Sequence, residues 1–233
     1  MDPLVIDGST RKPTWSQQEI DYFEDYLAAY AGLTYSQVTT GMAMLKNTPG
    51  CHWPLVALFT ELFRRGMIKS ALEFGSGATT AFLARLANKY FSLATTLENY
   101  PEWFQTIQQL LQNLGIYHGG FHLIPEFWVG SHQTERAPYD LVFADCAPRD
   151  ARVRALTHYR QFYHSEAIIL FDDCQDNPHH TPLNKVFQSV VDYAQENGFT
   201  RPGRFFSETR GIAVIDPAHK IDFLQFEIEP EYR

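Results

Sequence analysis

Five carboxylates stand where short apolar runs stop: Glu73, Glu98, Asp145 and the pair Asp172-Asp173. The runs are KSALEFG, FSLATTLE, YDLVFAD and EAIILFD, each read as a strand. In a parallel α/β sheet, ligands bind beyond the carboxyl ends of the strands. Acids at those ends can accept hydrogen bonds from sugar hydroxyls, favour a cationic ligand, or ligate a hard divalent cation. They can also simply cap the helices that follow. Any one acid is open to the capping reading. Chance is a poor explanation for all of them together.

The first acid opens the motif Glu73-Phe74-Gly75-Ser76-Gly77-Ala78-Thr79-Thr80. Its two glycines permit a tight turn and close approach of a ligand to the main chain. The helix start behind them offers free N–H groups. A dinucleotide fingerprint needs a third glycine where Thr80 stands, so pyrophosphate binding in that style is disfavoured. Glu98 ends the next strand, 21 residues after Gly77. That spacing suits a carboxylate holding the two hydroxyls of a ribose, in a dinucleotide or any other adenosine cofactor. Asp145, Asp172 and Asp173 supply oxygen ligands of the kind Mg²⁺ prefers. Arg149, Arg152 and Arg154 follow Asp145 as a basic run, read either as a solvated helix face or as a clamp for an acidic substrate.

The elements that must position these groups alternate. Helical spacing is expected over 52–65 (Leu55, Leu58, Phe59, Leu62 and Phe63, stopped by Gly66), over TTAFLARLANKY, and from Pro101 to a stop at Gly115. Val153, Leu156, Tyr159 and Tyr163 suggest a further helix, as do Leu183, Phe187, Val190 and Ala194 before Asn197-Gly198. FHLIPEF is a third strand candidate, and RFFSETRGIAVID reads as two edge strands around a turn at Arg210-Gly211. Strands alternating with helices imply a mostly parallel α/β sheet. Upstream, a capping box at Ser16 and Glu19 starts a helix with Ile20, Phe23, Leu27 and Tyr30 on one face. The expected organisation is an N-terminal helical extension or lid over 1–66 and a core over 67–233, forming one structural domain.

Composition narrows the partners. The 233 residues carry 19 Lys+Arg against 27 Asp+Glu, a formal charge of −8. That balance argues against a protein that holds nucleic acid by neutralising phosphates, and against adhesion to anionic lipid. No stretch is apolar enough for a membrane span. Cys51, Cys146 and Cys174 form no CxxC pair and cannot all pair internally, which fits a reducing compartment. With no secretory signal in MDPLVIDGSTRKP, a cytoplasmic location is expected. Exposed apolar faces on the N-terminal helices would permit a homodimer.

Residues 69–216 resemble the class I S-adenosylmethionine-dependent methyltransferases in LEFGSGATT, the strand-ending Glu98, YDLVFAD and AIILFDD. The placing of Asp145 and Asp172-Asp173 is similar to the catechol-O-methyltransferase-like branch. The resemblance implies a three-layer Rossmann-like sheet with an antiparallel C-terminal edge strand. It also implies methyl transfer from S-adenosyl-L-methionine to a small molecule, at an oxygen. By it, Glu73, Gly75, Ser76, Gly77, Thr79 and Thr80 surround the methionine part of the cofactor, Glu98 holds the ribose, and Pro125-Glu126 lies near adenine. Asp145 lies where cofactor and acceptor meet, and Asp145, Asp172 and Asp173 are the candidate Mg²⁺ ligands.

Two departures from the branch stand out. Its metal-dependent members carry Asp-Asn where this chain has Asp172-Asp173. Its lysine base falls three residues after the first Asp, where this chain has Pro148. A guanidinium stays protonated and is a poor base, so Arg149 does not replace it. His179 and His180 are then the candidates for proton removal, because histidine titrates near neutrality. His52 is another. The competing expectations are a nicotinamide-dependent oxidoreductase, which Thr80 argues against, and a non-catalytic protein that keeps the cofactor fold.

Overall fold

The apolar spacing at 52–65 folds as helix α1 (Trp53–Arg64), with Leu55, Leu58, Phe59, Leu62 and Phe63 buried. Each such side chain contributes roughly 1.5–3 kcal/mol on burial. Gly66 ends the helix in a left-handed conformation, φ 67°, and the Gly66 and Met67 amides donate to the Phe63 and Leu62 carbonyls. The computed structural model describes residues 53–129, 138–148, 150–174, 184–199, 202–207 and 210–221. Packing groups the chain into two units, one ending at Pro125 and the other beginning at Glu126.

The first unit continues as β1 (Ser70–Phe74), α2 (Ala78–Lys89), β2 (Leu93–Glu98), α3 (Pro101–Asn113) and β3 (Phe121–Leu123). Its strands lie in the order β3-β2-β1, all parallel. β1 and β2 are buried along nearly their whole length, as expected of central strands covered on both faces. Helix α1 packs on α2. The inner faces of α2 and α3 meet through Phe82, Ile107, Leu110, Leu111 and Leu114, with Trp103 and Phe121 against that cluster. Gly120 lets the chain entering β3 approach β2. A Cβ there would stand 2.3 Å from the Ala94 carbonyl oxygen, so no larger residue fits.

The second unit holds β4 (Tyr139–Ala144), α4 (Ala151–His158), a 3₁₀ turn (Arg160–Phe162), β5 (Tyr163–Phe171), α5 (Asn184–Glu196), β6 (Gly203–Ser207) and β7 (Arg210–Ile215). Its strand order is β4-β5-β7-β6, with β4 and β5 parallel and β7 antiparallel to both its neighbours. Ala144 is in register with Phe171, which brings the residues after each strand side by side. Asp145 and Asp172 are those residues.

Three boundaries differ from the sequence expectation. The third strand stops at Leu123, and Pro125 and Glu126 are exposed in a turn closed by the Val129 amide on the Glu126 carbonyl. The helix expected through Tyr163 stops at His158, and Tyr163 begins β5 instead. Tyr163 is buried because its hydroxyl donates to the Leu156 carbonyl and meets the Tyr193 hydroxyl, so an apolar-looking spacing served two different elements. Arg210 and Gly211 lie within β7 and not at a turn, because Arg210 pairs with Ser207 across the hairpin. The helix expected from Ser16, the segment around His52 and residue Cys51 lie outside the described residues.

Candidate functional site

The first unit builds its site around the turn after β1. Gly75 adopts φ 83°, a left-handed conformation that a side chain disfavours, and its amide donates to the Leu97 carbonyl of β2. Gly77 then caps α2, its amide donating to the Thr80 hydroxyl at 2.9 Å. Thr80, the residue that replaces a third glycine, thus supplies a side-chain acceptor to the turn. Its own hydroxyl donates to Glu73 Oε2 at 2.7 Å.

Glu73 is fully buried, and three hydroxyls point at it. Thr79 donates to Oε1, while Thr80 and Thr96 donate to Oε2. Thr96 is present because the parallel register sets it beside Glu73. Burial pushes the Glu73 carboxyl from 4.5 up to about 7 against the three hydroxyl bonds, and the nearby Glu98 charge adds to the rise. With the Thr96 proton committed to Glu73, His118 donates through Nε2 to the Thr96 oxygen, 2.9 Å away. Burial, with a smaller push from His122, lowers His118 to about 4, so it stays neutral near pH 7. Glu73 therefore shapes the turn from below: both of its oxygens hold threonines on α2 or β2.

Glu98 is only 2% exposed, and both of its oxygens accept hydrogen bonds from within the chain. Its Oε1 accepts from the Asn99 and Tyr100 amides, bracing the bend before α3 as a capping acid would. Its Oε2 accepts from the Ser76 amide at 2.8 Å and the Ser76 hydroxyl at 2.7 Å, tying the end of β2 to the glycine turn. The Trp103 indole donates to the Ser76 carbonyl at 2.6 Å, fixing the turn from α3. Beside Glu98, the buried Asn99 Oδ1 has no hydrogen-bond partner among the described residues. An unmatched acceptor next to a carboxylate suits a ligand that brings several O–H or N–H donors, as a nucleoside does.

The second unit gathers Asp145, Asp172 and Asp173, but around a side chain rather than an open space. Arg152, from α4, is 3% exposed. Its Nη2 donates to Asp145 Oδ1 at 2.8 Å and to Asp173 Oδ2 at 3.0 Å. Its Nη1 donates to the Asp172 carbonyl and its Nε to the Cys146 carbonyl. Burial works against the guanidinium charge, yet Asp145, Asp173 and Asp172 outweigh it and raise the Arg152 pKa above its ordinary value. Asp172 Oδ1 accepts from the Asp173 amide, and Asp173 sits at φ 61°, a conformation Asp adopts more readily than most residues.

A divalent cation does not fit this arrangement. The two carboxylate oxygens that would face it, Asp145 Oδ1 and Asp173 Oδ2, converge on Arg152 Nη2, and a metal there would meet a buried positive charge. No group of His, Cys, Asp or Glu among the described residues is arranged to hold a metal. Cys146 and Cys174 are buried and form no disulfide among the described residues.

Other candidates fall elsewhere. Arg154 is solvent-exposed, paired with Asp150 and lying over the Trp128 ring, so the basic run splits into one buried clasp and one surface residue. His179, His180 and Arg149 lie outside the described residues. Arg152, Thr96, His118 and Trp103 were not singled out individually by sequence reasoning. For Arg152 the signal was a basic residue seven places after a strand-end acid, on the same helix face as Ala151, Ala155 and Leu156.

No family model and no curated relative matches the chain. Solved structures do. The cofactor-bound Rv0187 protein from MTB superposes with a TM-score of 0.62 at 17% identity, covering 89% of this chain and 99% of that one. An O-methyltransferase from Bacillus cereus in complex with S-adenosylhomocysteine gives 0.60 at 12%, covering 87% and 98%. The S-adenosylhomocysteine-bound methyltransferase PaMTH1 from Podospora anserina gives 0.57 at 16%, covering 88% and 97%. The chain has the Rossmann-like α/β fold of these structures, mostly parallel with an antiparallel C-terminal pair.

Proposed function

We propose that the chain is an S-adenosyl-L-methionine-dependent methyltransferase acting on an oxygen of a small molecule. The observation that carries this reading is the Gly75-Ser76-Gly77 turn tied through Ser76 to the strand-ending Glu98, in a chain with this fold. Two of the similar solved structures are S-adenosylhomocysteine-bound, which supports the same cofactor class here. The charge of −8 supports a small-molecule acceptor over nucleic acid or an anionic membrane.

When bound, the cofactor supplies an electrophilic methyl group on a cationic sulfonium. The chain's residues do the rest. Glu98 accepts from a ribose hydroxyl. Its two oxygens have about four acceptor sites, and four donors already use them, so the mobile Ser76 hydroxyl is the one that yields. Asn99 Oδ1 accepts a further ligand donor. Gly75 and Gly77 admit the ligand to the backbone, with Thr79 and Thr80 held in place by Glu73. In the second unit, Asp145 is oriented by Arg152 and is proposed to face the acceptor. His179 and His180 are the proposed proton acceptors, since no lysine stands at position 148. Transfer then rests on aligning nucleophile and methyl, where effective molarities can be large.

Calorimetric titration of the purified chain with S-adenosylhomocysteine tests the reading, with NAD⁺ as the control. One saturable site for the first and none for the second is the expected result. Absence of S-adenosylhomocysteine binding overturns it. Radiolabelled methyl transfer to a panel of phenols and amines then separates oxygen from nitrogen acceptors.

A further inference from the structure

The acidic cluster of the second unit carries its own cation. We infer that Arg152 takes the place of a divalent metal at Asp145, Asp172 and Asp173, so that this site needs no bound metal ion. Four observations on one side chain support it. Nη2 lies within 3.0 Å of a carboxylate oxygen from each of Asp145 and Asp173. Nη1 and Nε bind the Asp172 and Cys146 main-chain carbonyls, so the guanidinium ties the end of β4 to the end of β5. The group is nearly fully buried and carries the charge that the paired acids require.

A divalent ion holding three acids would do the same two jobs: neutralise the carboxylates and fix their orientation. A guanidinium orients the paired acids with directional N–H donors and offsets part of their charge with its own, and it does so at any physiological pH because it does not lose its proton. The arrangement also explains the helix that delivers it. α4 has no apolar residue at position 152, yet that position is buried, because its charge is matched on the strand ends rather than in solvent.

The inference depends on the methyltransferase reading only for its consequence, that transfer proceeds without added divalent ions. Three proteins test it: wild type, Arg152→Gln and Arg152→Lys. Each is melted in EDTA, in MgCl₂ and in MnCl₂, and metal content is measured by mass spectrometry after dialysis against MnCl₂. S-adenosylhomocysteine titration runs in parallel, so a failure of cofactor binding is scored separately from a failure of this inference.

Wild type is expected to hold no stoichiometric metal and to melt at the same temperature in EDTA and in Mn²⁺. Arg152→Gln leaves the acids without their cation. It is expected to gain Mn²⁺ binding and a rise in melting temperature of about 3 °C or more at saturation. Arg152→Lys keeps a positive charge and is expected to remain indifferent to metal. A loss of packing alone would lower all three melting curves of a variant equally, so the metal response separates the two explanations. Stoichiometric Mn²⁺ on wild type, or destabilisation of wild type by EDTA, overturns the inference. So does a folded Arg152→Gln that ignores both ions. Should Arg152→Gln fail to fold, the wild-type and Arg152→Lys measurements decide.

Discussion

The two units solve one problem in opposite ways. Both hold carboxylates at strand ends, Glu73 and Asp172 fully buried and Asp145 partly so. In the first unit Glu73 is compensated by three neutral hydroxyls and left with a carboxyl that titrates near pH 7. In the second, Asp145 and Asp173 are compensated by a full positive charge on Arg152. Neutral donors reorganise easily, since a hydroxyl can turn from donor to acceptor when the acid gains a proton. A buried guanidinium cannot adapt in this way. The first arrangement therefore tolerates change and the second does not.

The largest expected effect breaks the charged side of that contrast. Arg152→Met should lower the urea unfolding free energy by about 3–5 kcal/mol, because it leaves buried acids without their partner. Glu73→Gln, which replaces a carboxyl that is mostly protonated at pH 6 with a neutral amide, should change it at that pH by only about 1 kcal/mol. Equal losses in the two variants would erase the distinction.

The next effect is a pH dependence. Glu73 titrates at about 7 in the folded chain and near 4.5 when unfolded, so its contribution is full below pH 4.5 and is lost as pH rises through about 7. That window is worth at most about 3 kcal/mol. His118 runs the other way. Lowered to about 4 from 6.5, its contribution is present above pH 6.5 and lost as pH falls through about 4. Urea titrations between pH 4 and 9 should therefore show Glu73→Gln abolishing the loss as pH rises from 4.5 to about 7, and His118→Asn abolishing the loss as pH falls from 6.5 to about 4. Unchanged pH profiles in both variants would remove the basis for a neutral-donor site.

A smaller effect concerns binding. Glu98→Gln should weaken S-adenosylhomocysteine about 10- to 100-fold by calorimetry, the range of one or two charge-assisted hydrogen bonds. Ser76→Ala should change affinity far less if, as proposed, its hydroxyl is the donor that gives way to the ligand. Smallest of all is Arg154→Ala, which cuts an exposed i,i+4 pair with Asp150 and should alter stability by about 0.5 kcal/mol or less. Set beside Arg152→Met, it contrasts a buried arginine that makes four hydrogen bonds with an exposed one that makes a single ion pair.

Much of the fold was legible because local chemistry specified it. The apolar runs at 70–74, 93–98 and 139–144 became β1, β2 and β4, and Gly66, Gly115 and Gly198 each stop a helix at positive φ. Local signals failed where one pattern fits two elements. Tyr163 matched a helical face and yet opens β5, because a hydrogen bond from its hydroxyl, not periodicity, decides its burial. Gly211 looked like a turn residue, but pairing across the hairpin places it inside β7.

The residues of the site divide in the same way. Types and order along the chain were enough to mark Glu73, the glycine turn, Glu98, Asp145 and Asp172-Asp173, because strand ends and tight turns are written in contiguous residues. What each acid touches was not written there. Thr96 reaches Glu73 through strand register across 23 residues, and Arg152 joins Asp145 to Asp173, which lies 28 residues further along the chain. The sequence thus determined where negative charge accumulates. Only the tertiary structure decided how that charge is balanced, since the energy of a buried carboxylate depends on the donor brought within 3 Å of it, and that donor comes from a distant part of the chain.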